Sequence, residues 1–139
     1  YACLTHGYWQ DIGSPQKYLE ASFGIISGRT KMPGYPQKAC PPNNWKKQEV
    51  SIDAFSILDG KCVIKSGVAI ENSVLGEGCR IEEGALIKDS VIWSGTRIMA
   101  HARIEKAVIG RLCHIGEGAR LRPGTVLGDK STVSDFSIV

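Results

Sequence analysis

The sequence predicts a mainly β chain whose larger part winds as a parallel β-helix of about five coils. Two observations predict this class. An aliphatic residue recurs every five or six positions, and a small residue follows most of these aliphatics by four positions. Neither spacing fits the 2.0-residue period of a strand or the 3.6-residue period of a helix. The 16 glycines among 139 residues also predict frequent tight turns.

The aliphatic residues come in groups of three, with steps of six, six and five, so that the pattern repeats every 17 residues and lengthens once to 18. A three-sided coil explains this repeat, because three sides return the chain one strand spacing higher, about 4.8 Å. The predicted inward positions are Leu58, Ile64, Ile70, Leu75, Ile81, Ile87, Ile92, Ile98, Ile104, Ile109, Ile115, Leu121, Leu127, Val133 and Val139. Ile52 has the same phase, so the coils are expected to begin near Val50.

Small residues form the second predicted inward column, where a tight corner leaves no room for larger side chains. This column comprises Cys62, Cys79, Ala85, Thr96, Ala102, Cys113, Ala119, Thr125 and Ser131, and the five-residue sides add Ser73, Ser90 and Ala107. The alternative is an amphipathic helical array. It would need a 3.6-residue period, and each glycine inside the repeats would weaken a helix by up to about 1 kcal/mol.

The residues before the coils predict a strand over 8–12 and then a helix. Ser14 can cap the helix, Pro15 suits its first position, and Gly28 can end it. One helical face carries Tyr18, Leu19, Ser22, Phe23 and Ile26. Residues 29–49 are rich in Pro, Lys and Asn, which predicts a linker. We therefore expect three regions, 1–28, 29–49 and 50–139, in a piece of a longer protein.

Charge and cysteine content narrow the functional classes. The net charge of +3 is too small to indicate nucleic-acid binding, and no apolar stretch reaches the roughly 18 residues of a membrane span. The five cysteines include no C-x-x-C and no disulfide framework, so we expect a reducing, cytoplasmic location without a zinc knuckle. Cys62, Cys79 and Cys113 fall in the small-residue column and are expected to serve packing there.

Two sets of motifs carry a resemblance to known families. The repeats "LGEGCR", "IGEGAR" and "LRPGTV" resemble the left-handed β-helix of the hexapeptide-repeat superfamily, which implies a left-handed winding. The stretch "GYWQDIGSPQKYLEA" over 7–21 resembles the closing motif of sugar-1-phosphate nucleotidyltransferases, such as the mannose-1-phosphate guanylyltransferases. In that family a linker and a left-handed β-helix follow an α/β catalytic domain. The resemblance implies that 1–28 is the strand–helix remnant of that domain.

This second resemblance also implies a reaction and a cofactor. The intact enzyme would join a nucleoside triphosphate to a sugar 1-phosphate and release pyrophosphate, with Mg²⁺ bound partly by Asp11 and with Trp9 packed beneath the site. The alternative reading of Asp11 is a carboxylate favoured by a helix dipole. The glycine-rich phosphate loop of the family, G-x-G-x-R, is missing here, so we expect no catalysis by this chain alone.

Three roles are open for the coils themselves. The first is assembly into a homo-oligomer, with regulation as an added role. The second is acyl transfer from acetyl-CoA by a histidine base, and the third is zinc catalysis by three histidines. The three histidines are His6, His101 and His114. His6 lies outside the repeats and the other two fall in different columns, which argues against a zinc triad.

A basic column is the last predicted feature of the coils. Arg80, Arg97 and His114 follow one another at the interval of the repeat, and Arg103 and Arg120 form a second such pair. Like charges on neighbouring strands repel unless they are solvated or neutralised. The alternatives are therefore a solvated face and an anion site for a regulatory phosphate or the acidic surface of a partner.

Overall fold

The computed structural model describes residues 9–30 and 49–139, which contain one helix and fifteen strands of two or three residues. Every strand pairing is parallel, and the strands form three five-stranded sheets. Sheet A contains β1 (Ser51–Ile52), β4 (Ala69–Glu71), β7 (Leu86–Lys88), β10 (Arg103–Glu105) and β13 (Arg120–Leu121). Sheet B contains β2 (Ile57–Leu58), β5 (Val74–Leu75), β8 (Val91–Ile92), β11 (Val108–Ile109) and β14 (Val126–Leu127). Sheet C contains β3 (Val63–Ile64), β6 (Arg80–Ile81), β9 (Arg97–Ile98), β12 (His114–Ile115) and β15 (Thr132–Val133).

The strand register confirms the predicted winding. Leu75 pairs with Ile92 and Ile92 with Ile109, all on sheet B and each one repeat after the last. Consecutive strands go from sheet A to B to C and back, so each coil contributes one strand to each wall. The interval lengthens by a single position between Val108 and Val126, as predicted for the last coil. A second lengthened interval joins Ser51 to Ala69 at the first coil.

The core is a single column of aliphatic side chains inside the three walls. The inward residues of the middle coils, from Ile81 to Ile115, are fully buried. The small column is buried with them through Ala119, whereas Thr125 and Ser131 in the last coil are only partly covered. Burial of the aliphatic column is the main stabilising contribution to such a coil, because a two-residue strand has little stability alone.

The corners depend on residues in the left-handed backbone region. One corner column contains Gly67, Gly84, His101, Gly118 and Phe136, all with positive φ. At Gly84 the reason for glycine is steric as well as conformational. A Cβ there would lie 2.6 Å from Nδ1 of His101, whose imidazole covers this position from the next coil. His101 itself takes φ of +57° at the equivalent corner.

Helix α1 (Pro15–Ile26) follows the prediction at both ends. The Ser14 hydroxyl accepts a hydrogen bond from the backbone amide of Lys17, Pro15 stands in the first turn, and Gly28 follows the Ser27 cap with φ of +73°. Within these described residues, the helix is not long and apolar enough to cross a membrane. Leu19 is its most buried large side chain, at 8% exposure.

The predicted strand over 8–12 is wrong for the residues that the structure describes. Residues 9–12 form no regular structure, and residue 8 lies outside the described range. A strand needs a neighbour for its amides, and no described strand pairs with this segment. Asp11 instead accepts the amide of Gly13 at 3.0 Å, which turns the chain into the helix. An α/β remnant is therefore not shown, and most of the predicted linker, 31–48, lies outside the described residues.

Candidate functional site

The outer faces of the three walls carry different chemistry, because the residue before each inward aliphatic points outward. On sheet B the outer row is aliphatic throughout: Ile57, Val74, Val91, Val108 and Val126. On sheet C the row contains Val63, Arg80, Arg97, His114 and Thr132. On sheet A it contains Ser51, Ala69, Leu86, Arg103 and Arg120. Any functional site on the coils therefore depends on which wall it occupies.

Helix α1 lies along the aliphatic wall. A cleft of about 660 Å³ is lined on one side by Leu19 and Phe23 of α1 and on the other by Val108 and Val126 of sheet B. Asp89 and Lys106 add two charged groups to its edge. Sheet B is thus apolar on both faces, and α1 supplies the outer cover that a second apolar face needs.

A second hollow, of about 450 Å³, opens beside the same wall. It is lined by Tyr18 of α1, by Val74 and Val91, and by Trp93 and Arg111. The Arg111 guanidinium carbon lies 5.0 Å from the centroid of the Trp93 ring, which is within cation–π range. Sequence analysis did not single out these residues, because their meeting at one corner joins two coils with a helix.

The predicted basic column is real and belongs to sheet C. Arg80 pairs in register with Arg97, and Arg97 with His114. We call these three residues the basic row. The two arginines are exposed and His114 is half-buried. Neither arginine forms a salt bridge with a carboxylate in the described part of the chain.

The second predicted pair occupies a different wall. Arg103 pairs in register with Arg120 on sheet A. The five predicted anion-site residues therefore form two separate surfaces, and the structure does not bring them together. Both arginines on sheet A are also exposed and lack a salt bridge within 9–30 and 49–139.

Sheet A also carries a charge ladder that sequence analysis missed. Glu71 pairs in register with Lys88, and Lys88 with Glu105. The Lys88 ammonium lies 3.2 Å from the Glu71 carboxylate, which raises the pKa of Lys88 above its ordinary value. The alternation of charge follows the same repeat as the arginines, so the sequence contained the signal and could have revealed the ladder.

Asp11 is exposed and already engaged by neighbouring groups. Its carboxylate accepts hydrogen bonds from the Gly13 amide at 3.0 Å and from the Lys17 ammonium at 2.9 Å. Mg²⁺ in nucleotide enzymes commonly binds one or two carboxylates together with substrate phosphates. Asp11 can supply one such ligand, but the described residues contain no cluster of three or more His, Cys, Asp or Glu able to hold a metal. Trp9 is 80% exposed and packs beneath no site in the part of the chain described here.

The histidines occupy the separate columns that their spacing predicted. His114 belongs to the basic row on sheet C, whereas His101 stands at a corner above Gly84. His6 lies outside the described residues. No histidine triad therefore forms within 9–30 and 49–139.

The buried cysteines serve the corner between sheets B and C. The thiols of Cys62, Cys79 and Cys113 donate to the carbonyl groups of Gly76, Trp93 and Gly128 on the following coil, at 3.1–3.3 Å. A hydrogen bond with Cys62 and burial together raise the pKa of the Cys79 thiol. A protonated, enclosed thiol is a poor nucleophile, so these cysteines act in packing. Cys3 and Cys40 lie outside the described residues.

This architecture defines a hexapeptide-type β-helix domain with one helix against its aliphatic wall. Residues 42–139 match the family model described as the EIF2B subunit epsilon LbH domain, where LbH denotes a left-handed β-helix. The match covers every coil and most of the chain, so the chain belongs to this family, and the expected left-handed winding agrees with it. The comparison with curated proteins found no match.

Proposed function

We propose that this chain is the C-terminal region of a sugar-1-phosphate nucleotidyltransferase and that its β-helix holds the enzyme in a homo-oligomer. The observation that carries the proposal is the docking of α1 on sheet B. The helix contains most of the nucleotidyltransferase-like motif, and its Leu19 and Phe23 face Val108 and Val126 across one cleft. The motif and the coils thus belong to one packed unit rather than to two independent modules.

The membership of the EIF2B subunit epsilon family supports the assembly part of this proposal. The printed name describes a subunit, which is a protein that functions together with other chains. A β-helix suits that role because its three walls are flat and present long rows of side chains to neighbours. Light scattering should give the purified chain at least twice the mass of a monomer. A monomer at micromolar concentration would contradict the assembly proposal.

The chemistry proposed for the intact enzyme is the attack of a sugar 1-phosphate on the α-phosphorus of a nucleoside triphosphate, with loss of pyrophosphate. Both reactants are anionic, so Mg²⁺, when bound, supplies charge neutralisation. Asp11 would be one of its ligands, beside carboxylates from elsewhere in the enzyme. Lys17, which holds the Asp11 carboxylate at 2.9 Å, orients it toward the start of α1.

The test uses an intact protein that carries this region. We expect synthesis of a nucleotide sugar from one of a panel of sugar 1-phosphates and nucleoside triphosphates, measured as pyrophosphate release with Mg²⁺. Asp11→Asn should lower kcat by at least about tenfold, whereas the control Glu105→Gln, an exposed carboxylate on sheet A, should leave it unchanged. No turnover with any pair of substrates, or equal loss in both variants, would refute the proposed reaction.

The same preparation separates this proposal from acyl transfer. His101 is an exposed imidazole on a hexapeptide-type coil, which is the feature that favours the acyltransferase alternative. Calorimetry with acetyl-CoA should show no heat of binding under the proposed function. Saturable binding that His101→Ala abolishes would favour the alternative.

A further inference from the structure

We propose that the outer face of sheet C is a docking surface for an acidic segment of a partner protein. This inference concerns the basic row, Arg80, Arg97 and His114, and it does not depend on the reaction proposed above. The occupant we infer is a short extended segment with several carboxylates followed by an apolar side chain. Charge, shape and the neighbours of the row each contribute to this choice.

The charge pattern of sheet C is unlike that of sheet A. Where charged side chains stack on sheet A, at Glu71, Lys88 and Glu105, the sign alternates and a salt bridge forms. On sheet C, Arg80 and Arg97 stack directly, and no described carboxylate lies within salt-bridge distance of either. Like charges on neighbouring strands are destabilising. An external acidic group would remove this repulsion, whereas it would gain nothing from the ladder on sheet A.

The shape of the surface favours a macromolecular segment over a small anion. Both clefts described above lie along sheet B, and no residue of the basic row lines either of them. A phosphate on an open, flat wall would keep most of its water and bind weakly. A segment with several carboxylates can instead contact all three cationic positions at once, and the cost of its association is shared among them.

The neighbours of the row define the rest of the partner. Val63 stands directly below Arg80 on the same wall and is 49% exposed, and Leu112 at the adjoining corner is 59% exposed. Three coils at about 4.8 Å each place the cations within roughly 10 Å, which is the length of about three extended residues. We therefore infer three or four acidic residues and then an apolar residue that packs on Val63.

The experiment uses a fluorescent peptide, Glu-Glu-Glu-Glu-Leu, titrated with the chain at about 50 mM NaCl and followed by polarisation. We expect saturable binding that weakens as salt is raised. The double variant Arg80→Ala/Arg97→Ala should raise the Kd by about fivefold. The matched control is Arg103→Ala/Arg120→Ala, which removes the same charge from an in-register pair on sheet A, and its Kd should stay within about twofold of the parent.

Three results would overturn the proposal. The first is no binding at low salt by variants and parent alike. The second is an equal loss in both double variants, which would show that only net charge matters. The third is displacement of the peptide by inorganic phosphate beyond that by sodium chloride of equal ionic strength, which would assign the row to a small anion. Circular dichroism melting of every variant confirms that each is folded.

Discussion

Sheets B and C have the same interior and opposite exteriors. Ile92 on sheet B and Ile98 on sheet C are equally buried in the core. Immediately before them, Val91 is 5% exposed beside α1, whereas Arg97 is exposed to solvent. The inward column therefore sets the winding, and the outer row decides what each wall can contact. One wall is matched to a helix of the same chain, and the other remains available to a partner.

The separation of these two roles follows from strand geometry. Successive side chains of a strand point to opposite faces, so the outer residue can change without altering the inward one. The repeat places each such change in register with its equivalents on the coils above and below. A row of like residues on one wall is therefore a chemical surface that the core does not require, and substitutions on the two sides of one strand should have very different effects.

The largest expected effect comes from the inward position of sheet C. Ile98→Ala should lower the free energy of unfolding by about 2–5 kcal/mol, because it leaves a cavity between Ile81 and Ile115 in a fully buried column. Arg97→Ala on the same strand should change it by no more than about 0.5 kcal/mol. Urea unfolding followed by circular dichroism measures both. Similar losses in the two variants would contradict the division between inner and outer roles.

A smaller effect should distinguish the outer valines of the two walls. Val91→Ala removes two methyl groups from a site that is buried beside α1, and we expect a loss of about 1–3 kcal/mol. Val63→Ala occupies the equivalent outer position on sheet C, where the side chain is half exposed, and should cost less than about 0.5 kcal/mol. Equal small losses would mean that α1 does not cover sheet B in solution.

The corner through which the chain enters sheet B should be nearly as sensitive. The buried hydroxyl of Ser90 accepts the amide of Ala107 at 3.1 Å and donates to the carbonyl of Lys88 at 2.7 Å. Ser90→Ala leaves that amide without a partner, so we expect a loss of about 1–2 kcal/mol. Ser134→Ala, at an exposed corner, is the control and should be neutral. Faster exchange of the Ala107 amide, measured by hydrogen exchange, would locate the effect.

The parts of this fold that were predictable are those encoded in the period. Leu75, Ile92 and Ile109 could be assigned to one wall, and Arg80, Arg97 and His114 to one row, because both sets follow the interval of the repeat. The position of α1 was not predictable in this way, since helix-to-sheet contact leaves no period in the sequence. Handedness came only from resemblance, because spacing is the same for either hand.

The failures have local causes. The apolar and aromatic residues over 9–12 favour a strand by propensity, but a strand requires a paired neighbour and the Asp11 side chain instead caps a turn. The Trp93–Arg111 pair escaped attention because the interval between the two residues exceeds the repeat by one position, and they meet only when the corner is folded. Propensity and period thus predict the coils well and the groups that bridge them poorly.

The smallest expected effect is the one that tests the charge contrast between walls directly. Arg97→Glu would place a carboxylate between Arg80 and His114 and so copy on sheet C the alternation that sheet A has at Glu71, Lys88 and Glu105. We expect it to raise the free energy of unfolding by about 0.2–1 kcal/mol, because cross-strand pairs of opposite charge are favourable and like pairs are not. Urea unfolding at about 50 mM NaCl is the measurement.

The reciprocal change on sheet A provides the control. Lys88→Glu would stack three carboxylates and remove the salt bridge to Glu71, so it should lower stability by a similar amount. Both changes should shrink at about 0.5 M NaCl, since exposed charges are screened over a few ångströms at that ionic strength. Should Arg97→Glu instead destabilise the chain equally at both salt concentrations, the arginine stems would be packing on the wall. The basic row would then be a structural feature of sheet C rather than a surface kept for a partner.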